Sequence, residues 1–396
     1  MNICLVTSSF LPSIGGRELV VHNLANALCH AGHRVVVFKP HYRNDEYDHP
    51  RVYELVKFGF RGHGRLGMTT ACAVYGLRKV VKEYKIDVVN VHEVCVAGNW
   101  AYRFSLLDGK TPIVGTPHGS DLNRCSEANY GVRRERSGER MVRRNLKSFD
   151  FVTAVSKSMA EEIFRIRNES ETLRIVPNGI RTSDFDIRID RDKVRQEYKI
   201  PSDTLLLISV GRNHPIKRFE FAVEAAARLR SEGFNLSYLL IGCNMGSIRE
   251  KARGMGFQDH LFTPGELAGS EVARLLRASD VFVNSSYVES FGLAALEAMA
   301  CGLPIVATDV PGNRDLIGKD FGDLVAPNDH GEQLARAIQL LAEDAALRRL
   351  KGERAKAASM KYSWDSVANM YVDAYCEAVG AAHRTRSTFR SRIAEV

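Results

Sequence analysis

No window of the chain reaches the roughly 18 uninterrupted apolar residues that a membrane span requires. The longest apolar run, Phe291 to Thr308, is broken by Glu297 and by Gly302-Leu303-Pro304. A secretory leader is not expected either: the apolar stretch Asn2 to Val6 lacks a basic flank and runs into "SSFLPSIGG". The eight cysteines (Cys4, Cys29, Cys72, Cys95, Cys125, Cys243, Cys301 and Cys376) form no CxxC pair and no metal-ligand spacing. That argues against a disulfide scaffold and a zinc ribbon, and fits a reducing, cytoplasmic location with cysteine as a small hydrophobe. Repeats of solenoid period and a GxSxG nucleophile elbow are missing, and neither the Gly15-Gly16 turn nor the strand-end turn "IGCNMG" is a GxGxxG dinucleotide fingerprint. A cytoplasmic enzyme or binding protein remains, at most peripheral to the inner face of a membrane.

What is present is ordinary globular composition, with 45% hydrophobic and 26% charged residues over 396 positions. That length accommodates two or three domains, each with its own core. The net charge of +8 is unevenly placed. "RRERSGERMVRRNLK" (133–147) holds seven basic and two acidic residues, and Arg384 to Arg392 adds four arginines. On a helix, Arg133, Arg136, Arg140, Arg143, Arg144 and Lys147 fall within about 100° of arc, although Gly138 could break that helix. The bland interpretation is solvated surface. The sharper one is peripheral contact with an anionic membrane or a phosphorylated acceptor. No nucleic-acid partner is expected.

Short β-branched runs alternate with helical patterns in two series. The first has strand candidates at 3–7, 34–38, 53–58, 87–91, 112–116, 151–155 and 173–176. The second has them at 205–211, 236–242, 261–265, 281–286, 304–309 and 323–327. Apolar residues at three- and four-residue steps predict intervening helices such as 17–31, 69–84, 217–232 and 270–278. Strand–helix alternation implies right-handed crossovers and parallel, doubly wound sheets. The charge-rich stretch 181–203 separates the series and is expected to link two Rossmann-like domains, 1–183 and 184–362. A helix at 363–380 and a basic tail at 381–396 follow. Open sheets of this kind bind ligands at the carboxyl ends of their strands, so two such domains are expected to face each other across a ligand cleft.

The motifs lie at those strand ends. In "VNSSYVESFGLAALEAM", a strand ends near Ser285 and a helix starts near Phe291 to Leu293, with Gly292 allowing close backbone approach. First-turn amides lack intrahelical partners and suit a phosphate. Glu289 precedes that helix and Glu297 lies inside it. On one continuous helix they would stand about 80° and 12 Å apart, too far for a metal pair or an acid/base dyad. They could instead accept hydrogen bonds from hydroxyls on either side of a phosphate, as carboxylates do for ribose. A sugar–diphosphate–nucleoside has the matching length and charge pattern; alone, Glu297 would read as a solvated helix residue. In "SVGRNHPIKRF", Arg212 ends a strand and Lys217 opens the next helix, where the helix dipole disfavours cations unless an anion shares the site. Gly15 and Gly16 form a second helix-opening turn suited to phosphate, a weak signal by itself. "GTPHGSDL" places His118 and Asp121 at a further strand end, and "NVHEV" places His92 and Glu93 at another with less support. Asp-x-Asp at 184–186 and 190–192 falls in the charged link and reads as solvated.

With "PSIGG", "HGSD", "AVSKSM", "VPNGI", "GRNHPIK" and above all "ESFGLAALEAMACGLPIVATD", the chain resembles family 4 glycosyltransferases of the GT-B fold, over nearly its whole length. The last segment matches the family's E-x7-E signature. The resemblance implies a retaining, metal-independent transfer of a hexose-type sugar from a nucleoside diphosphate sugar, UDP- or GDP-linked. It also implies that no cofactor is needed. Arg212 and Lys217 would stabilise the departing diphosphate. Glu289, Ser290 and the Phe291–Leu293 backbone, including Gly292, would hold donor sugar and phosphate. Glu297 would bind ribose, Gly15 and Gly16 phosphate, and His118 the transferred sugar. The final helix would cross back to the first domain. Pro311 and Asp315 depart from the family pattern, as does Arg181 after "NGI". A glycan or lipid-linked acceptor, as in envelope polysaccharide or glycolipid assembly, fits the basic residues, with acceptor loops expected near 40–66 and 120–140. The competing readings are a two-domain sugar-nucleotide epimerase, a phosphorylase, and a non-catalytic subunit that binds nucleotide-sugar.

Overall fold

The computed structural model describes residues 1–12, 15–41, 50–59, 66–327 and 331–394, with backbone alone at 66–68 and 383–394. The predicted acceptor loop near 40–66 therefore falls largely outside the described residues, as do the side chains of the basic tail.

The chain divides into two compact units. One comprises Met1–Arg124, Tyr130–Gly179 and Trp364–Val396, and the other Cys125–Asn129 and Ile180–Ser363. The first unit contains seven strands: β1 (Asn2–Val6), β2 (Arg34–Pro40), β3 (Glu54–Phe58), β4 (Val88–Val91), β5 (Ile113–Gly115), β6 (Phe151–Ala154) and β7 (Leu173–Ile175). They run in the order β3-β2-β1-β4-β5-β6-β7, every pair parallel. The second unit has β8 (Leu205–Val210), β9 (Leu236–Ile241), β10 (Leu261–Gly265), β11 (Val281–Asn284), β12 (Ile305–Thr308) and β13 (Gly322–Val325). Their order is β10-β9-β8-β11-β12-β13, again all parallel.

Parallel strands covered by helices on both faces bury every side chain, which is why they read as continuous apolar runs. Ile3 to Val6, Val35 to Phe38 and Leu206 to Ile208 are essentially inaccessible. Each sheet reverses its strand order once, at β1/β4 and at β8/β11. Adjacent loops there leave in opposite directions and open a crevice at the carboxyl ends. Among the described residues no helix is long and apolar enough to cross a membrane.

Three expectations need correction. The stretch 181–203 is not a free link. It carries helix Arg191–Glu197, capped by Asp190, and Arg195 is buried, pairing with Asp280 at 2.7 Å. The Asp-x-Asp residues are exposed, as expected, with Asp190 capping that helix and Asp186 pairing with Lys356 at 2.6 Å. Of the expected tail, residues 381–394 instead continue the backbone of helix Trp364–Ala394. That helix is tied into the first unit by Tyr375 Oη donating to Asn90 Oδ1 at 2.8 Å. Gly138 does not break helix Arg136–Ser148: it lies in the first turn, close against Val132.

Candidate active site

In the second unit the chain leaves β8 through Gly211, makes a short 3-10 turn at Pro215–Lys217, and enters helix Phe219–Ser231. Lys217 thus precedes the helix rather than opening it. Its loop is pinned to the one after β11: Ser285 Oγ donates to the carbonyls of Lys217 at 2.8 Å and Arg218 at 2.9 Å, and Tyr287 N donates to Ile216 O at 2.7 Å. Arg218 is buried between the rings of Phe221 and Tyr287 and donates to Pro327 O, which makes it a structural cation.

These ties bring Lys217 Nζ into a hydrogen-bonded ion pair with Glu289 Oε1. The same oxygen accepts from Ser286 Oγ at 3.1 Å and lies 3.4 Å from Asn284 Nδ2. Among the described residues Oε2 has no partner, leaving an acceptor for a ligand hydroxyl. The anion expected to share the site with Lys217 is therefore already supplied in part by the protein. Arg212 is exposed and finds no partner among the described residues, so its full charge faces solvent.

Helix Leu293–Ala300 begins at Gly292, whose φ of +96° lies in the left-handed region that favours glycine. Its first bond is Leu296 N to Gly292 O, so the amides of Leu293, Ala294 and Ala295 find no acceptor within the helix. Phe291 turns its ring into the interior, edge-on to Tyr362 at 5.6 Å, and Ser290 is half-buried. Glu297 is half-buried, without a hydrogen-bond partner among the described residues, and burial pushes its carboxyl up to about 7 from 4.5. An unpaired, desolvated carboxylate is a poor structural feature and a ready acceptor for hydroxyl donors.

Sequence reasoning missed the device that holds this loop. Gly312 N donates to Glu289 O at 3.1 Å, and a Cβ at Gly312 would stand 2.5 Å from that oxygen. Buried Asn313 donates to Thr308 O at 2.9 Å, and Thr308 Oγ1 donates to Ser286 O at 2.6 Å. The glycine in "VPGN" was the available signal.

The first unit gathers a separate set at the ends of β1, β4 and β5. Gly15 caps helix Gly16–His30 in extended backbone. Arg17, in the first turn, bonds Glu93 Oε2 at 2.5 Å, which also accepts from Ser8 Oγ. Glu93, weakly supported by sequence, is buried and also accepts Val96 N at 2.7 Å. Asp121 accepts backbone amides of Val94, His118 and Gly119, fixing the loop that carries His118. His118 Nε2 lies 3.0 Å from His92 Nδ1, the two rings stacked. Burial, helped by the Arg17 charge, holds His92 down at about 3; burial, His92 and Arg17 hold His118 well below its usual range. Both rings are neutral near pH 7.

The basic helix is only partly as expected. Arg136, Arg140, Arg143, Arg144 and Lys147 are exposed, with Arg143 paired to Glu139 at 2.5 Å and Arg144 stacked on Tyr102. Arg133 is not: it is 4% exposed and bonds Glu139 and Glu162, each at 2.6 Å, and Leu122 O. A guanidinium so enclosed cannot face a membrane.

The model of the family described as "Glycosyl transferases group 1" matches residues 190–358, and that of "Glycosyltransferase Family 4" matches 14–184. The chain is 28% identical to the N-acetyl-alpha-D-glucosaminyl L-malate synthase of Bacillus anthracis, over 87% of this chain and 89% of that one. It is 27% identical to a D-inositol 3-phosphate glycosyltransferase of Salinispora tropica, over 94% and 83%. In structure it is similar to sucrose-phosphate synthase from Thermosynechococcus elongatus, with a TM-score of 0.82 and 22% identity over 96% and 99% of the two chains.

Proposed function

Because the chain belongs to glycosyltransferase family 4, with the GT-B fold, we propose that it moves a hexose-type sugar from a nucleoside diphosphate sugar, UDP- or GDP-linked, with retention of anomeric configuration. The family displaces the epimerase, phosphorylase and partner-subunit alternatives. One observation carries the donor reading: Arg212 and Lys217 follow β8 while Glu289, the open amides at Leu293 and Glu297 follow β11, the two neighbouring strands at which the second sheet reverses its order, and Lys217 pairs with Glu289 across them.

On this reading the diphosphate draws Lys217 from its bond with Glu289 toward the phosphates, and Arg212 closes on the same charge. As the glycosidic bond breaks, negative charge builds on the β-phosphate, where preplaced cations and amides act most strongly. A resident metal is not required for that charge. Glu289 accepts a hydroxyl of the donor sugar through Oε2, Glu297 accepts ribose hydroxyls, and His118 hydrogen-bonds the transferred sugar. Gly15 and Gly16 offer backbone to the phosphates. Attack comes from the face the leaving group departs, its phosphate oxygen taking the acceptor proton, so no side chain forms a bond to sugar.

The acceptor reading is a glycan or lipid-linked sugar in envelope assembly, reached from the inner membrane face with Arg136, Arg140, Arg143, Arg144 and Lys147 toward anionic headgroups. A small soluble anion is the second reading, favoured by the malate and inositol phosphate that two relatives are named for. Incubating the enzyme with UDP- and GDP-sugars and both acceptor classes, and following the anomeric proton by NMR, tests the proposal. An inverted product, or sugar trapped on any side chain, would overturn the mechanism.

A further inference from the structure

We propose that His92, buried behind His118, is a positioning residue that fixes the His118 tautomer, so that Nδ1–H of His118 is the donor offered to the sugar. The inference rests on the reading above for what His118 touches, but the tautomer itself follows from geometry.

Two neutral imidazoles that share one contact must divide the roles, one donating and the other accepting. His92 Nδ1 and His118 Nε2 are 3.0 Å apart. The other nitrogen of His92, Nε2, is buried and has no hydrogen-bond partner among the described residues. Two arrangements remain. If His92 carries its proton on Nε2, that N–H is buried with nothing to donate to. If it carries the proton on Nδ1, the proton lies in the contact with His118 and only a lone pair is left at Nε2. Orphaned buried N–H groups are rarer than under-used acceptors, so the second arrangement prevails. His118 Nε2 is then the acceptor, and its proton must sit on Nδ1, which has no protein partner among the described residues on this half-buried ring.

The surroundings keep the pair neutral. The Arg17 guanidinium opposes protonation of both rings, because an added proton on either would set a second cation near it. Tyr371 packs its ring near His92, 6.3 Å between centroids, and the His92 imidazole is fully buried. His118 therefore meets a sugar oxygen as a donor without carrying charge. That suits a hydroxyl or ring oxygen and brings no positive charge to a phosphate.

Long-range ¹H–¹⁵N correlation of the histidine rings in the full-length protein reads the tautomers directly. His118 and His92 should both show protonated Nδ1 and bare Nε2. An Nε2–H signal for His118 in the wild-type protein overturns the proposal with no variant needed. His92→Phe removes the donor while filling the space, and His118 should shift toward the Nε2–H form, with kcat falling about tenfold and KM for donor changing less. His92→Asn returns an N–H near the Nδ1 position and should recover most of the loss; a tautomer indifferent to both substitutions counts against the proposal. A correct tautomer combined with unchanged turnover in His92→Phe would instead fault the assignment of His118 to the sugar.

Discussion

Glu297 offers the most quantitative test. Its carboxyl is held at about 7 against 4.5 by burial, with no compensating donor. The folded chain therefore keeps a proton there that the unfolded chain has released, and stability falls as pH rises from about 4.5 to about 7, then levels off. The full shift corresponds to about 3 kcal/mol, reduced to about 2 kcal/mol because solvent reaches a half-buried side chain. Glu297→Gln keeps the shape and carries no charge at any pH. At pH 8.5 it should raise the melting temperature of the second unit by about 4–8 °C, whereas at pH 5 the gain should shrink below about 1 kcal/mol. Scanning calorimetry of both proteins at the two pH values is the assay. Donor hydroxyls stabilise the ionised carboxylate, so nucleoside diphosphate binding near pH 6.5 should release a proton, visible as a buffer-dependent binding heat. An equal difference at both pH values, or none, would refute the reasoning.

Arg212→Ala and Lys217→Ala should each lower kcat by about 10²–10³ while circular dichroism stays unchanged, and near-normal turnover would remove them from the leaving-group role. Gly312→Ala places a carbon 2.5 Å from Glu289 O and must displace that loop, so nucleoside diphosphate affinity should drop about tenfold or more by titration calorimetry. Arg133→Ala strips a buried donor from Glu139, Glu162 and Leu122 O and should cost about 2–4 kcal/mol in urea unfolding. Arg140→Ala, fully on the surface, should stay within about 0.5 kcal/mol. Equal effects of the two would deny the distinction between them.

The strands were legible because a parallel sheet buried on both faces needs unbroken apolar runs: "ICLV", "VVVF" and "LLLIS" can be little else. Helices with weaker periodicity went unread. Lys157–Arg167 and Ala345–Ser359 carry proper caps, Ser156 and Asp344, which the apolar pattern alone did not bring out. Glu289, Glu297, Arg212 and Lys217 could be singled out because charge at a strand end or helix start is conspicuous in one dimension.

Sequence alone thus determined the two doubly wound sheets and the residue types gathered at their carboxyl ends, since hydrophobic period and helix-start chemistry are local. Tertiary structure decided which charges remain available. It paired Lys217 with Glu289, left Arg212 open, stacked His92 on His118, and enclosed Arg133 among acids while its neighbours stayed in solvent. Most of those outcomes depend on contacts distant in sequence, 26 positions apart at His92–His118 and 72 at Lys217–Glu289. Pairing and burial set the electrostatic worth of a charge, and neither is carried by the chain's order before it folds.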